Sequence, residues 1–170
     1  MVINFALAGL LVAVTAYTDA TRGKIYNRHT LPALGLGLVL AVLQHRQDLI
    51  LSAVLVFGFY YFIYRFPGLI SRMGAKLVGA LPLPEGTRPW AGGDVKLAAA
   101  LAVLIGHMPV LYGTALASLL LLLYHGMKAW VSTGSAMALV LMATGKGGYT
   151  SAPFGPFLGP CCLLTAALIR

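Results

Sequence analysis

The chain has 170 residues, of which 59% are hydrophobic and 9% charged, and its mean hydropathy is +0.87. Soluble domains carry about a quarter charged residues, so a water-soluble fold of this composition would have more apolar surface than interior to hide it in. The net charge of +8 comes from 12 Lys and Arg against 4 Asp and Glu. These cations punctuate the apolar runs instead of forming a basic stripe, which argues against a nucleic-acid partner and for membrane topology signals.

Val2 to Thr18 is an apolar run closed by Asp19, Arg22 and Lys24. A signal peptide carries its positive charges before such a run and a small-residue cleavage site after it. Here the cations follow, so the run reads as a retained first helix with its N-terminus outside. Thr30 to Leu43 is a second run, long enough only if Asn27, Arg28 and His29 form its first turn and Arg28 snorkels to the interface. Pro32 is tolerable so near a helix start. Gln44 to Asp48 is a polar turn, and Leu49 to Tyr64 is a third run.

Residues 65 to 93 are the longest polar interval. Leu69, Ile70, Met73, Leu77 and Leu81 share one helical face, opposite Arg72 and Lys76, as in a helix lying among headgroups. Pro82, Pro84, Gly86 and Pro89 then impose an irregular stretch. Leu97 to Tyr124 contains no Asp, Glu, Lys or Arg. As one helix it would run about 42 Å, more than a bilayer core needs. Gly106-His107-Met108-Pro109 predicts a break into a short fourth helix and a fuller fifth. Ser132, Thr133, Gly134 and Ser135 weaken Ala129 to Thr144 as a span, so it is expected at the interface. Pro153 to Ile169 is the last helix. Cys161 and Cys162, adjacent in that run, read as small packing residues.

The expected fold is therefore all-α: one polytopic transmembrane bundle over residues 1–170, with about six spans and interfacial amphipathic helices. Six spans put Arg22, Lys24, Arg28, Arg65, Arg72, Lys76, Arg88, Lys96, Lys128 and Lys146 on one side, and Arg46 and Arg170 on the other. The positive-inside rule makes the first side cytosolic. Fusing the fourth and fifth helices would leave a similar imbalance, so the Gly-His-Met-Pro break decides between the two arrangements.

On this topology Asp19 and Asp94 both lie at cytosolic helix ends, at similar depth. An acid bordering a span is costly unless wetted or paired, and is a functional candidate; the alternative is an interfacial cap. Local sequence favours the first reading. Asp19 sits in Tyr17-Thr-Asp-Ala-Thr-Arg-Gly-Lys-Ile-Tyr-Asn27, and Asp94 in Ala91-Gly-Gly-Asp-Val-Lys-Leu97. Glycines before an acid allow close backbone approach to a substrate and unusual dihedrals.

With these segments the chain resembles the type IV prepilin peptidases of the GxGD aspartyl protease group, near the short forms that serve tight-adherence (Flp-type) pili. That family carries an Asp followed by a basic stretch ending in Ile-Pro-Asn, then Gly-x-Gly-Asp-Val-Lys-Leu. Near its C-terminus it has Pro-Phe-Gly-Pro-Phe-Leu, matched by Pro153 to Leu158. The three segments occur in the family's order and span nearly the whole chain. Ala91 replaces the first glycine of the second motif, and Tyr26 replaces the proline of the first.

The resemblance implies a membrane-embedded aspartyl endopeptidase, in the inner membrane, that cuts the leader of a pilin-like precursor at the cytosolic face. Asp19 and Asp94 are its expected catalytic pair. Two carboxyls held close cannot both ionise easily, so one keeps a proton and the other acts as base. Gly92, Gly93, Lys96, Asn27, Pro153, Phe154, Gly155 and Pro156 are expected to support the site or bind substrate. The Pro-Phe-Gly-Pro segment would offer backbone to an extended peptide. No cofactor or metal is implied, because no His or Cys cluster has ligand spacing. His29, His45, His107 and His125, with Asp48 and Glu85, are expected to be solvated. The Cys-rich insertion of the longer, methylating relatives is missing, so peptidase activity without methyl transfer is expected. Alternatives are a preflagellin-type or other GxGD protease, and a non-enzymatic transporter or proton relay using the same acids.

Overall fold

The computed structural model describes residues 2–66, 92–133 and 154–169. Among these residues the secondary structure is six α-helices: α1 (Val2–Arg22), α2 (Asn27–Leu43), α3 (Gln47–Arg65), α4 (Gly92–Ile105), α5 (His107–Thr133) and α6 (Gly155–Leu168). α1, α3 and the His107–Lys128 part of α5 are long and apolar enough to cross a membrane, and α2 and α6 are shorter apolar helices. An all-helical bundle suits lipid, since each helix satisfies its own backbone polar groups.

The order of contacts makes the helices alternate in direction. Asn4 at the start of α1 exchanges hydrogen bonds with Gln44 beyond the end of α2, at 3.0 and 3.4 Å. Ser52 near the start of α3 meets His107 Nδ1 at the start of α5, 2.9 Å away. Thr165 near the end of α6 donates to the Pro109 carbonyl at 2.7 Å. The end of α1 and the starts of α2, α4 and α6 therefore gather at the opposite pole, called here the aspartate end.

α4 is the axis of the bundle. It touches all five other helices, and ten of its 14 residues are buried. Ala98, Ala100, Leu101, Ala102 and Val103 are fully enclosed. A helix apolar on every side has no solvent face and belongs in the middle. Its alanines let neighbours come close, which matters in lipid because helix association rests on packing and not on escape from water. The outward faces carry Leu10, Leu36, Val54, Phe59 and Leu122, all more than half exposed. Such a surface suits hydrocarbon and would aggregate in water.

Several expectations on the helices hold. Gly106 takes φ +94 between α4 and α5, at the predicted break, and glycine alone adopts this without strain. Asn27 to His29 do form the first turn of α2. Others are corrected. α1 continues past Thr18, so Asp19 is a helical residue and Gly23, at φ +61, ends the helix by donating to the Asp19 carbonyl at 2.8 Å. Ala129 to Thr133 prolong α5; residues 134–144 lie outside the described part. His107 is a partner of Ser52 and not simply solvated. Asp48 is exposed as expected, but ion-paired with Arg46 at 2.7 Å. The amphipathic 69–81 segment, Glu85 and Ala91 also lie outside the described residues.

Backbones approach closely where α5 crosses α6. A Cβ placed on Gly113 would stand 2.5 Å from the Cys162 Cα and 2.7 Å from its backbone nitrogen, whereas one on Gly9 would meet nothing within 4 Å. Gly113→Ala should therefore cost about 1–3 kcal/mol by overpacking and lower the thermal midpoint in detergent by several degrees. Gly9→Ala should leave it unchanged or raise it, because alanine is the better helix former. Equal midpoints for the two variants would contradict the α5–α6 packing.

Candidate active site

Asp19 lies on the last turns of α1, one turn inside Arg22, on the face that packs against the bundle. It is 6% exposed. Thr15 and Thr18 precede it on the same side, their hydroxyls bonded back to the Leu11 and Thr15 carbonyls at 2.7 and 3.1 Å. The carboxylate instead looks outward from its own helix. Its Oδ2 accepts a hydrogen bond from the backbone N–H of Gly155, 2.8 Å away. Gly155 opens α6, and its amide belongs to the set that a helix N-terminus leaves without an internal acceptor. The positive end of a helix dipole and a free N–H together favour an anion there. A Cβ on Gly155 would lie 2.8 Å from that same Oδ2, so only glycine lets the two helices meet this way.

Asp94 occupies the first turn of α4 and is likewise 6% exposed. Gly92 and Gly93 before it are already helical, and the described glycines with positive φ are Gly23 and Gly106 alone. Of the two expectations for these glycines, unusual dihedrals are not seen, and the close approach at Gly93 is to the chain's own linker. A Cβ on Gly93 would stand 2.9 Å from the Ile25 Cβ and 3.3 Å from its carbonyl oxygen. The linker between α1 and α2 runs over the start of α4 in the room that glycine leaves.

Two neighbours secure this linker. Lys96 Nζ, one turn into α4, donates to Asn27 Oδ1 at 2.8 Å, joining two of the expected supporting residues. Tyr26, where the resembling family has proline, sits at φ −86 and ψ 136. That is close to polyproline geometry, so the local backbone is the one proline would impose. The Arg28 guanidinium lies 5.2 Å from the Tyr26 ring centroid.

α1, α4 and α6 are in mutual contact, so the ends that carry Asp19, Asp94 and Gly155 belong to one polar locus inside an apolar bundle. Phe154 caps α6 and packs against the core, and Pro156 falls in the first turn. The Gly155 amide is taken by Asp19 and is not left for an extended chain. Pro153 lies outside the described residues. Sequence reading missed Tyr64 as more than the end of an apolar run: its phenol lies 3.9 Å from the Cβ position of Gly92, at the start of α4. No spacing in the chain points to it. Among the described residues no three His, Cys, Asp or Glu side chains gather as a metal site would require.

Comparison with protein families matches residues 5–126 to the type IV leader peptidase family. The match covers well over half of the chain and includes both aspartates. No curated protein and no solved structure matches the chain. On the family match and its helical bundle, the chain belongs to the type IV leader peptidase family and is a protease built for the membrane.

Proposed function

We propose that the chain is an intramembrane aspartyl endopeptidase that removes the leader of a pilin-like precursor at the cytosolic face of the inner membrane. The observation that carries this reading is the pair of acids. Asp19 and Asp94 are both 6% exposed, on ends of two touching helices, in a chain of a leader peptidase family. Buried carboxylates in a lipid-facing bundle are costly to keep without a task.

In the proposed mechanism the pair shares one proton. The ionised carboxyl draws a proton from a water as its oxygen attacks the scissile carbonyl, and the protonated one delivers a proton to the departing amine. The proton belongs to the pair and not to a named member. The Gly155 amide would fix one oxygen of Asp19, and the Lys96–Asn27 bond would fix the linker over α4 so that the two carboxyls keep their spacing. Peptidase activity without methyl transfer is part of the same proposal.

The cytosolic assignment draws on the distribution of charge. Among the described residues Arg22, Lys24, Arg28, Arg65, Lys96 and Lys128 belong to the aspartate end, and Arg46 to the other. Cysteines introduced near Arg22 should react with reagents from the cytosolic side, and those near Gln47 from outside. The reverse pattern would place the aspartates on the outer face.

Asp19→Asn and Asp94→Asn should each accumulate in the membrane yet lose nearly all cleavage of a pilin-like precursor, measured per molecule of enzyme. The double variant should be hardly worse than either single one, because groups that act as a unit are not additive. Near-normal specific activity of one single variant would sink the dyad. Loss of protein with specific activity intact would mean a structural role for the acids.

Gly155→Ala and Gly93→Val test the supports. The first drives a methyl into Asp19 Oδ2, and the second presses on Ile25. Each should lower cleavage at least tenfold, which corresponds to about 1.4 kcal/mol in the barrier, while membrane levels stay near wild type. Full turnover by Gly155→Ala would mean that the amide contact does not orient the acid.

A further inference from the structure

A groove with about 230 Å³ of free space runs between α1 and α2, away from the face that carries Asp19. Leu7, Leu11 and Val14 form one wall, and Pro32, Ala33 and Leu36 the other, with Arg28 and His29 at one end. From Leu36 to Arg28 the helix rises about 12 Å. The groove is therefore a slot along the helix axes, apolar through its length and cationic at the aspartate end.

The lining is the first constraint: both walls are apolar side chains, which suits a hydrocarbon chain. Charge adds the second constraint. Arg28 is exposed, and its Nε donates to His29 Nε2 at 3.1 Å. Accepting at Nε2 puts the ring proton of a neutral His29 on Nδ1. Among the described residues the one ion pair is Arg46–Asp48, at the other end, and none of their carboxylates pairs with Arg28. By contrast, the pocket at that other end has Arg46 as its cation, already engaged by Asp48. Position is the third constraint, because the first turn of a membrane helix lies at headgroup level.

We propose that this groove is a binding site for one anionic phospholipid. An acyl chain lies between α1 and α2, and the phosphate is held by the Arg28 guanidinium and the His29 Nδ1–H. Guanidinium matches phosphate with paired hydrogen bonds, which a generic lipid-facing surface does not offer. The proposal is independent of the peptidase reading.

The test uses the whole protein reconstituted in phosphatidylcholine bilayers with spin-labelled lipids, comparing motionally restricted phosphatidylglycerol with phosphatidylcholine. Wild type should prefer phosphatidylglycerol about fivefold, the effect of one cation at a membrane surface. Arg28→Gln should remove the preference, and Lys24→Gln, a cation of the same end outside the groove, should keep it. Ala33→Trp should fill the slot and displace the restricted phosphatidylglycerol; if that variant fails to insert, the Arg28 and Lys24 pair decides. Several results would overturn the site. One is an absent preference in wild type, and another is equal loss in Arg28→Gln and Lys24→Gln, the mark of a diffuse surface potential. Abolition of the preference by millimolar inorganic phosphate would assign Arg28 to the free anion. Ala33→Trp that blocks leader cleavage with lipid preference intact would assign the groove to the precursor.

Discussion

A carboxylate at 6% exposure inside an apolar bundle needs donors from the protein itself, and for Asp19 that donor is the Gly155 amide, 136 residues away along the chain. The contact joins the end of the first helix to the start of the last. It asks for a helix N-terminus, which supplies an unused N–H, and for a residue without a side chain, which lets the carboxylate reach it. It also asks α6 to lie flush on α1. Gly159 meets that need, since a Cβ there would fall 2.6 Å from a Val12 methyl. Gly113 does the same for α5 against α6. A chain of close approaches through residues without Cβ atoms thus ends at one hydrogen bond.

The second acid is held by a different device. Asp94 opens α4, which packs against all five of the other described helices. What has to be arranged is the linker that follows Asp19. Gly23 stops α1, Ile25 settles into the space over Gly93, and Lys96 reaches Asn27. The linker is short, so fixing it also fixes the separation of the ends of α1 and α4. Polar groups elsewhere in the bundle are satisfied within it: Tyr60 donates to Thr114 at 2.8 Å, and Thr114 to the Val110 carbonyl at 2.6 Å. Among the described residues no buried side-chain nitrogen or oxygen lacks a partner, which is the condition for a stable fold in a medium without water.

Much of this was legible in the chain before any coordinates. Hydropathy located the helices, because a run either is or is not apolar enough to leave water, and Gly106 with Pro109 marked the break because those residues cannot continue a helix regularly. Charge separated the two ends. The segments around Asp19, Asp94 and Gly155 identified the family resemblance, and the family match bears that out over residues 5–126. Local rules reached less far at helix ends: α1 runs on past Thr18, where the Thr18 and Thr21 hydroxyls bond to the preceding turn and stay in the helix, and α5 runs on to Thr133.

Tertiary structure alone decided who meets whom. Gly9 and Gly113 are both helix glycines in apolar runs, yet one faces open space and the other a backbone. Gly93 was expected to allow both a close approach and unusual dihedrals, and the fold uses its missing Cβ to seat Ile25. Lys96 and Asn27 were separate candidates until the fold made them a pair, and Tyr64 was a run's last residue until α3 brought it to Gly92. Periodicity records that a residue faces a partner but not which partner. Which helices lie side by side is settled by the fit of small side chains across their interfaces, and that fit exists only once the bundle has formed.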